Sequence, residues 1–226
     1  MTEFDILFED EYIAVIVKPE GLLSQNDESG DESIVSILEK RLPYVGIIHR
    51  LDRGVGGVMV YAKSKDAAAK LSGIVGDKAV FSKTYLVLCH GRPDEAQGEM
   101  HDLLFKDRHL NKSYTVERKR KGVKDASLEY SLIAYNEEYD LSLVKVKLHT
   151  GRTHQIRVQF ASRKMPLAGD KKYGAKDNFK SIGLFSSNLA FPHPKSGKTV
   201  DFGALPDYSK SPWNIFEAEF LRPSAI

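Results

Sequence analysis

The sequence predicts an α+β protein built on a large, mainly antiparallel mixed sheet flanked by helices and loops, and three observations carry that prediction. Strand-like runs outnumber helical ones and follow no regular βα alternation, which argues against a doubly wound parallel sheet. In residues 140–149, Val144, Val146 and Leu148 alternate with Lys145 and Lys147, the pattern of a strand buried on one face and wet on the other. The chain has 226 residues with 42% hydrophobic side chains, enough for a sizeable core, and its glycines and prolines are spread evenly without repeats or a low-complexity linker. One domain over residues 1–226 is therefore expected.

The elements are read in order. Residues 12–17 form a short apolar run closed by Lys18-Pro19, a buried strand. Residues 33–42 place Ile34, Ile37, Leu38 and Leu42 at helical spacing. Residues 46–51 and 57–62 read as two strands around a tight polar-and-glycine turn. A helix over 64–75 follows, with Ser64 placed to cap it. Residues 84–89 are β-branched and aromatic, hence a strand. Residues 126–135 and 140–149 form two strands joined by Asn136-Glu137-Glu138-Tyr139. Thr153 stands where it could cap a helix carrying Ile156, Phe160 and Ala161 inward. The last third reads as short strands and turns.

Composition excludes several classes. The single cysteine, Cys89, rules out an internal disulfide framework and a multi-cysteine metal site. The acidic start lacks the basic-then-apolar pattern of a secretory signal, and no apolar run nears the about eighteen residues of a membrane span. A cytoplasmic protein is expected. Net charge is only +2, but residues 1–40 hold eleven acids against two lysines, so −9 there leaves +11 for the remainder. Eight Lys/Arg against three Asp/Glu fall in residues 106–125, and eight against two in residues 152–180. That asymmetry suggests a polyanionic partner met by one face.

Familiar nucleotide motifs fail on chemistry. Gly54-Val55-Gly56-Gly57-Val58-Met59 has methionine where a dinucleotide fingerprint needs its third glycine. Gly197-Lys198-Thr199 resembles the end of a P-loop, but the leading glycine is replaced by Pro192, which has no N–H to offer phosphate. The seven histidines show no metal-ligand spacing, and no nucleophile elbow exists. No metal and no cofactor are expected.

What remains is an aspartate, arginines and a tyrosine amid basic surface. Arg50 and Asp52 lie at the polar end of an apolar strand and, two apart, would share a face. Arg157 follows Ile156 at the edge of a buried stripe, where a guanidinium requires a carboxylate. Tyr85 offers a flat ring suited to stacking on a base. Such a set suits chemistry on a flipped nucleobase.

At these residues the chain resembles the RluA-type RNA pseudouridine synthases. The match runs through Lys18-Pro19-Glu20-Gly21-Leu22, His49-Arg50-Leu51-Asp52, Lys83-Thr84-Tyr85, the stretch Thr150-Gly151-Arg152-Thr153-His154-Gln155-Ile156-Arg157-Val158, and Gly169-Asp170-Lys171-Lys172-Tyr173-Gly174. The family usually has Thr-Ser-Gly after its aspartate, where this chain has Val55-Gly56-Gly57. Gln159 and Met165 also stand where the family commonly has histidine.

The resemblance implies the pseudouridine synthase catalytic fold and a cofactor-free isomerisation of uridine in ribosomal or transfer RNA. It implies Asp52 as the essential carboxylate, paired with Arg157, and Tyr85 stacked on uracil. Arg50, with His49, would hold the extruded base's gap or its phosphate. Arg152, His154, Gln155, Lys106, Asn111, Lys112, Arg118, Lys119, Arg120, Lys171 and Lys172 would face RNA, with Lys121, Lys124 and Lys176 beside them. The small N-terminal RNA-binding domain of many relatives is expected to be missing, and a monomer is the default. The alternative is a non-catalytic RNA-binding protein on the same fold.

Overall fold

The computed structural model describes residues 4–221, so only the first three residues of the acidic start lie outside them. In chain order the elements are β1 (Ile6–Glu9), β2 (Ile13–Lys18), α1 (Ile34–Leu38), β3 (Gly46–Ile47), β4 (Gly56–Ala62), α2 (Lys65–Ile74), β5 (Ser82–His90), β6 (Gln97–Asp107), β7 (Lys112–Val116), β8 (Val123–Asn136), β9 (Leu141–Leu148), α3 (Gln155–Ser162), β10 (Leu184–Pro192), β11 (Thr199–Gly203) and α4 (Glu217–Phe220). They fall into two compact units: the segment ending at Lys83 with Phe185–Pro206, and Thr84–Leu184 with the segment from Asp207 on. Among the described residues no helix is long and apolar enough to cross a membrane.

In the first unit β4 is the central strand. Antiparallel β2 covers its full length, from Ile13 opposite Ala62 to Lys18 opposite Gly57. On its other side β10 runs parallel to its start and β3 antiparallel to its end. β1 extends the sheet beyond β2, and β11 pairs with β10. All seven residues of β4 are buried, as a strand covered on both faces requires. Val58, Val60, Leu71, Phe81, Leu189 and Phe191 share one core, in which the Phe81 and Phe191 rings stack at 5.1 Å. Ser64 caps α2 by accepting the Ala67 N–H at 3.2 Å, as its position in the sequence predicts. Ser33 and Ser36 form a reciprocal capping box on the short α1.

The strand expected over 46–51 is only Gly46–Ile47. From Ile48 onward the backbone turns to other partners: the Leu51 N–H donates to Ser24 Oγ at 3.1 Å, and Ser24 Oγ–H donates to the Leu51 carbonyl at 2.8 Å. Arg50 and Asp52 therefore sit in a loop, and no strand alternation sets their direction.

The second unit is an antiparallel sheet in the order β5-β9-β8-β6-β7. β6 and β7 had no clear sequence signal. Helix α3 buries six consecutive residues, Gln155 to Phe160, so it lacks the one-sided stripe expected of it, and Ala161 is only half-buried. Its cap is His154 in the left-handed conformation (φ 54°), without a side-chain cap bond, so Thr153 does not fill that place. After α3 the chain returns alongside β5: the Leu88 N–H donates to the Gly183 carbonyl and the Ala168 N–H to the Leu88 carbonyl. Cys89 lies fully buried there, and burial pushes its thiol up to about 12.

Candidate active site and RNA-facing surface

The Asp52 loop of the first unit is held from several directions. The Val55 N–H closes a turn on the Asp52 carbonyl at 3.0 Å, and the Gly21 N–H donates to the Arg53 carbonyl at 2.8 Å. Lys18, with 0% exposure, donates from Nζ to the carbonyls of Leu22 (2.7 Å), Pro19 (2.9 Å) and Arg53 (3.2 Å). Burial lowers its pKa to about 8, against which the nearby charges of Glu20 and Asp52 act to keep the ammonium. Lys18 thus ties the strand end to the aspartate's own loop and places a cation in its electrostatic neighbourhood. No role was assigned to it from sequence, although Lys18-Pro19 opens the first matched segment.

The glycines after Asp52 have packing reasons. At Gly56 a Cβ would come within 3.2 Å of the Lys18 carbonyl and 3.3 Å of the Phe185 ring. Gly57 has φ 122° and would press a Cβ to 2.3 Å from the Ser186 carbonyl, so only glycine fits. Val55, at the usual threonine position, is buried.

Arg50 is exposed. His49 points inward: the Val60 N–H donates to its Nε2 at 3.3 Å, and its ring stands edge-on to Phe81 at 6.1 Å. Accepting on Nε2 puts the ring proton on Nδ1, which is buried. Burial, aided by the Lys83 charge, lowers the His49 pKa to about 3, so the ring is neutral.

In the second unit Tyr85 lies on β5 opposite Val146 and is 6% exposed. Arg157, on α3, is equally buried and forms a bidentate ion pair: Nε donates to Asp170 Oδ2 at 2.7 Å and Nη2 to Oδ1 at 2.8 Å. The carboxylate that a buried guanidinium demands is present, and it belongs to Asp170, which the sequence reading quoted but gave no part. Its signal was positional: the one acid between Arg157 and Lys176, in a matched turn. Tyr173 was missed in the same way. Its ring centre is 5.1 Å from the Arg157 guanidinium carbon and 5.1 Å from Lys112 Nζ. Its hydroxyl accepts the Ser113 N–H at 2.9 Å and lies 2.9 Å from His154 Nδ1.

Several expected RNA-facing residues are thereby brought together. Lys172 donates to the Asn111 carbonyl at 2.9 Å, and Ser113 Oγ–H to the Thr153 carbonyl at 2.7 Å, so the β6–β7 hairpin and the 169–174 turn form one block. Lys106, Asn111 and Lys171 are exposed on it. Arg118, Lys119 and Arg120 project from the β7–β8 connection; Lys119 pairs with Asp125 at 3.0 Å, and Arg120 lies 5.1 Å from the Phe105 ring centre. Arg152 donates from Nε to the Asp125 carbonyl at 2.9 Å. Gln155 is spent internally: 3% exposed, it accepts from Thr150 Oγ1 and the Arg152 N–H and donates to the Ser127 carbonyl, bracing the turn before α3.

Residues 12–162 match the family described as RNA pseudouridylate synthase. A protein of Aquifex aeolicus named an uncharacterized RNA pseudouridine synthase is 35% identical over 222 residues, covering 88% of this chain and 68% of its own length. Ribosomal large subunit pseudouridine synthase C of Haemophilus influenzae is 31% identical over 218 residues, covering 91% and 66%. The chain spans about two thirds of the length of these relatives. Human RNA pseudouridylate synthase domain containing 1 shares the fold, with a TM-score of 0.76 at 21% identity over 91% of this chain and 84% of that one.

Proposed function

This chain belongs to the RNA pseudouridylate synthase family and is an RNA pseudouridine synthase, and from that premise we propose that Asp52 is its essential carboxylate, acting with Tyr85 and Arg157 on ribosomal or transfer RNA. The reaction exchanges the bond from ribose C1′ to uracil N1 for one to C5. N1 gains a proton and C5 loses one, with no net oxidation and no co-substrate. Asp52 either attacks C1′ or removes the ribose 2′ proton. Arg157 keeps that carboxylate ionised and aimed, and Tyr85 stacks on the uracil and accepts the C5 proton after reattachment. Arg50 fills the gap left by the base or holds its phosphate. The lysines and arginines of the hairpin block grip the RNA backbone.

The observation that carries this reading is the Asp52 loop, whose backbone is fixed by Lys18, Ser24 and Gly21 on an otherwise buried scaffold. Ribosomal RNA is the first substrate to test, since relatives from Haemophilus influenzae and Borreliella burgdorferi are named for the large ribosomal subunit. A ribosomal RNA substrate would place the protein in the cytoplasm. Ribosomal and transfer RNA incubated with the protein should gain pseudouridine, detected by nucleoside mass spectrometry. Asp52→Asn should abolish the product while RNA binding and the unfolding midpoint stay near wild type. Appreciable turnover by that variant would refute the assignment.

A further inference from the structure

We infer that Asp170 and Tyr173 are positioning residues for Arg157, fixing the plane of its guanidinium and tying it to the strand that carries the RNA-gripping hairpin. This rests on the reading of Arg157 as part of the reacting site. The guanidinium is planar, and a carboxylate that takes Nε and Nη2 together sets both its position and its rotation, which no lysine at that place could reproduce. Asp170 does this at 2.7 and 2.8 Å while itself only 1% exposed. The Tyr173 ring, 5.1 Å from the guanidinium carbon, restrains the same group a second time.

Both positioning residues are themselves over-determined. The Asp170 carbonyl accepts the N–H groups of Tyr173 (3.0 Å) and Ala175 (3.1 Å), winding the turn tightly around it. Gly169 has φ 73° and would place a Cβ 2.1 Å from the Ser181 carbonyl, so the turn enters by a path only glycine can follow. Asp177 clamps the turn's base: it accepts the Gly169 and Phe179 N–H groups and lies 2.6 Å from His90 Nε2. Tyr173 in turn bonds Ser113 of β7, between Lys112 and Tyr114. A displacement of the hairpin therefore reaches the guanidinium through one tyrosine, and the grip on RNA and the aim of Arg157 are set together.

The test is a double-mutant cycle on a short RNA hairpin substrate, with kcat and KM measured separately. Arg157→Lys should lower kcat by about 100-fold. Asp170→Asn should lower kcat by about 10- to 100-fold with KM nearly unchanged, since misaim of a reacting group costs rate. The double variant should be no slower than Arg157→Lys alone, because Asp170 acts only through the arginine. Asp170→Asn leaves a buried guanidinium without its counter-charge; if its unfolding midpoint collapses, Asp170→Glu decides, keeping the charge while shifting its position, and it too should lose kcat. Tyr173→Phe should show a smaller loss in kcat by freeing Ser113 and His154. Normal kcat in the folded Asp170 variants, or losses that multiply with Arg157→Lys, would overturn the inference while leaving Arg157 in place. Full kcat in Arg157→Lys would instead remove Arg157 from the site, and the inference with it.

Discussion

His49 illustrates how one side chain can carry a measurable signature. Folded, its ring holds no proton until about pH 3, whereas in the unfolded chain a histidine takes one near 6.5. Between those values the unfolded state binds more protons, so stability present above pH 6.5 is lost as pH falls. His49→Gln, which keeps an acceptor for the Val60 N–H, should flatten the stability–pH curve by up to about 1.4 kcal/mol per pH unit in that window. Urea unfolding at a series of pH values reads the difference, and parallel curves would mean that His49 titrates normally. Tyr85→Phe belongs to the same scale: the ring still stacks but the hydroxyl is gone, so kcat should fall more than RNA affinity. Equal losses would mark a purely structural tyrosine. At this scale Asp52, Tyr85 and Arg157 stand out in the sequence only through the motifs that surround them, so their proposed roles rest on the resemblance and on the tests above. It did not reveal Lys18 or Asp170, whose importance comes from carbonyls and a guanidinium that meet them only in three dimensions.

Elements divide by how strongly burial marks them. β2, β5 and β9 were legible because each has a clean period or an unbroken apolar run, and α2 because Ser64 caps an alanine-rich segment. β6 and β7 were not: Gln97–Asp107 interleaves Glu99, His101 and Asp102 with Met100 and Leu103, the mark of a half-exposed sheet with weak alternation. Helix α3 reads as amphipathic in the sequence but is buried all round, because Gln155, Arg157 and Gln159 each find polar partners inside. Two predictions follow the elements. Replacing Arg118, Lys119, Arg120 and Lys121 together by alanine should flatten the plot of log K against log[salt] by up to about three units, since each phosphate contact contributes about −0.7 to −0.9. An unchanged slope in the folded variant would route RNA over another face. Gly57→Ala, forced against the Ser186 backbone, should cost more than about 2 kcal/mol in denaturant unfolding.

Over the whole chain, the charge asymmetry was the most informative global quantity, and the structure partly explains its acidic side. Glu9 pairs with Arg41 and Lys63, Asp31 with Arg53, and Glu32 with Lys40, so part of the early negative charge is matched within the first unit. The basic excess lies largely in the hairpin block and the turn after α3, facing solvent. The α+β class was legible because local periodicity reports it; the division of the chain into two compact units was not, since Phe185–Pro206 joins the first unit from far along the sequence. As a chemical whole the protein should work without metal. Turnover on a short, metal-independent RNA hairpin should survive exhaustive EDTA, and a strict metal requirement there would contradict the mechanism.

Cys89 has a practical consequence. It is the chain's sole thiol, fully buried and held protonated at ordinary pH. Maleimide dyes should leave the folded protein unmodified. A cysteine introduced at exposed Leu110, on the hairpin tip, would then take a single fluorophore, turning the approach of RNA to that tip into an optical signal.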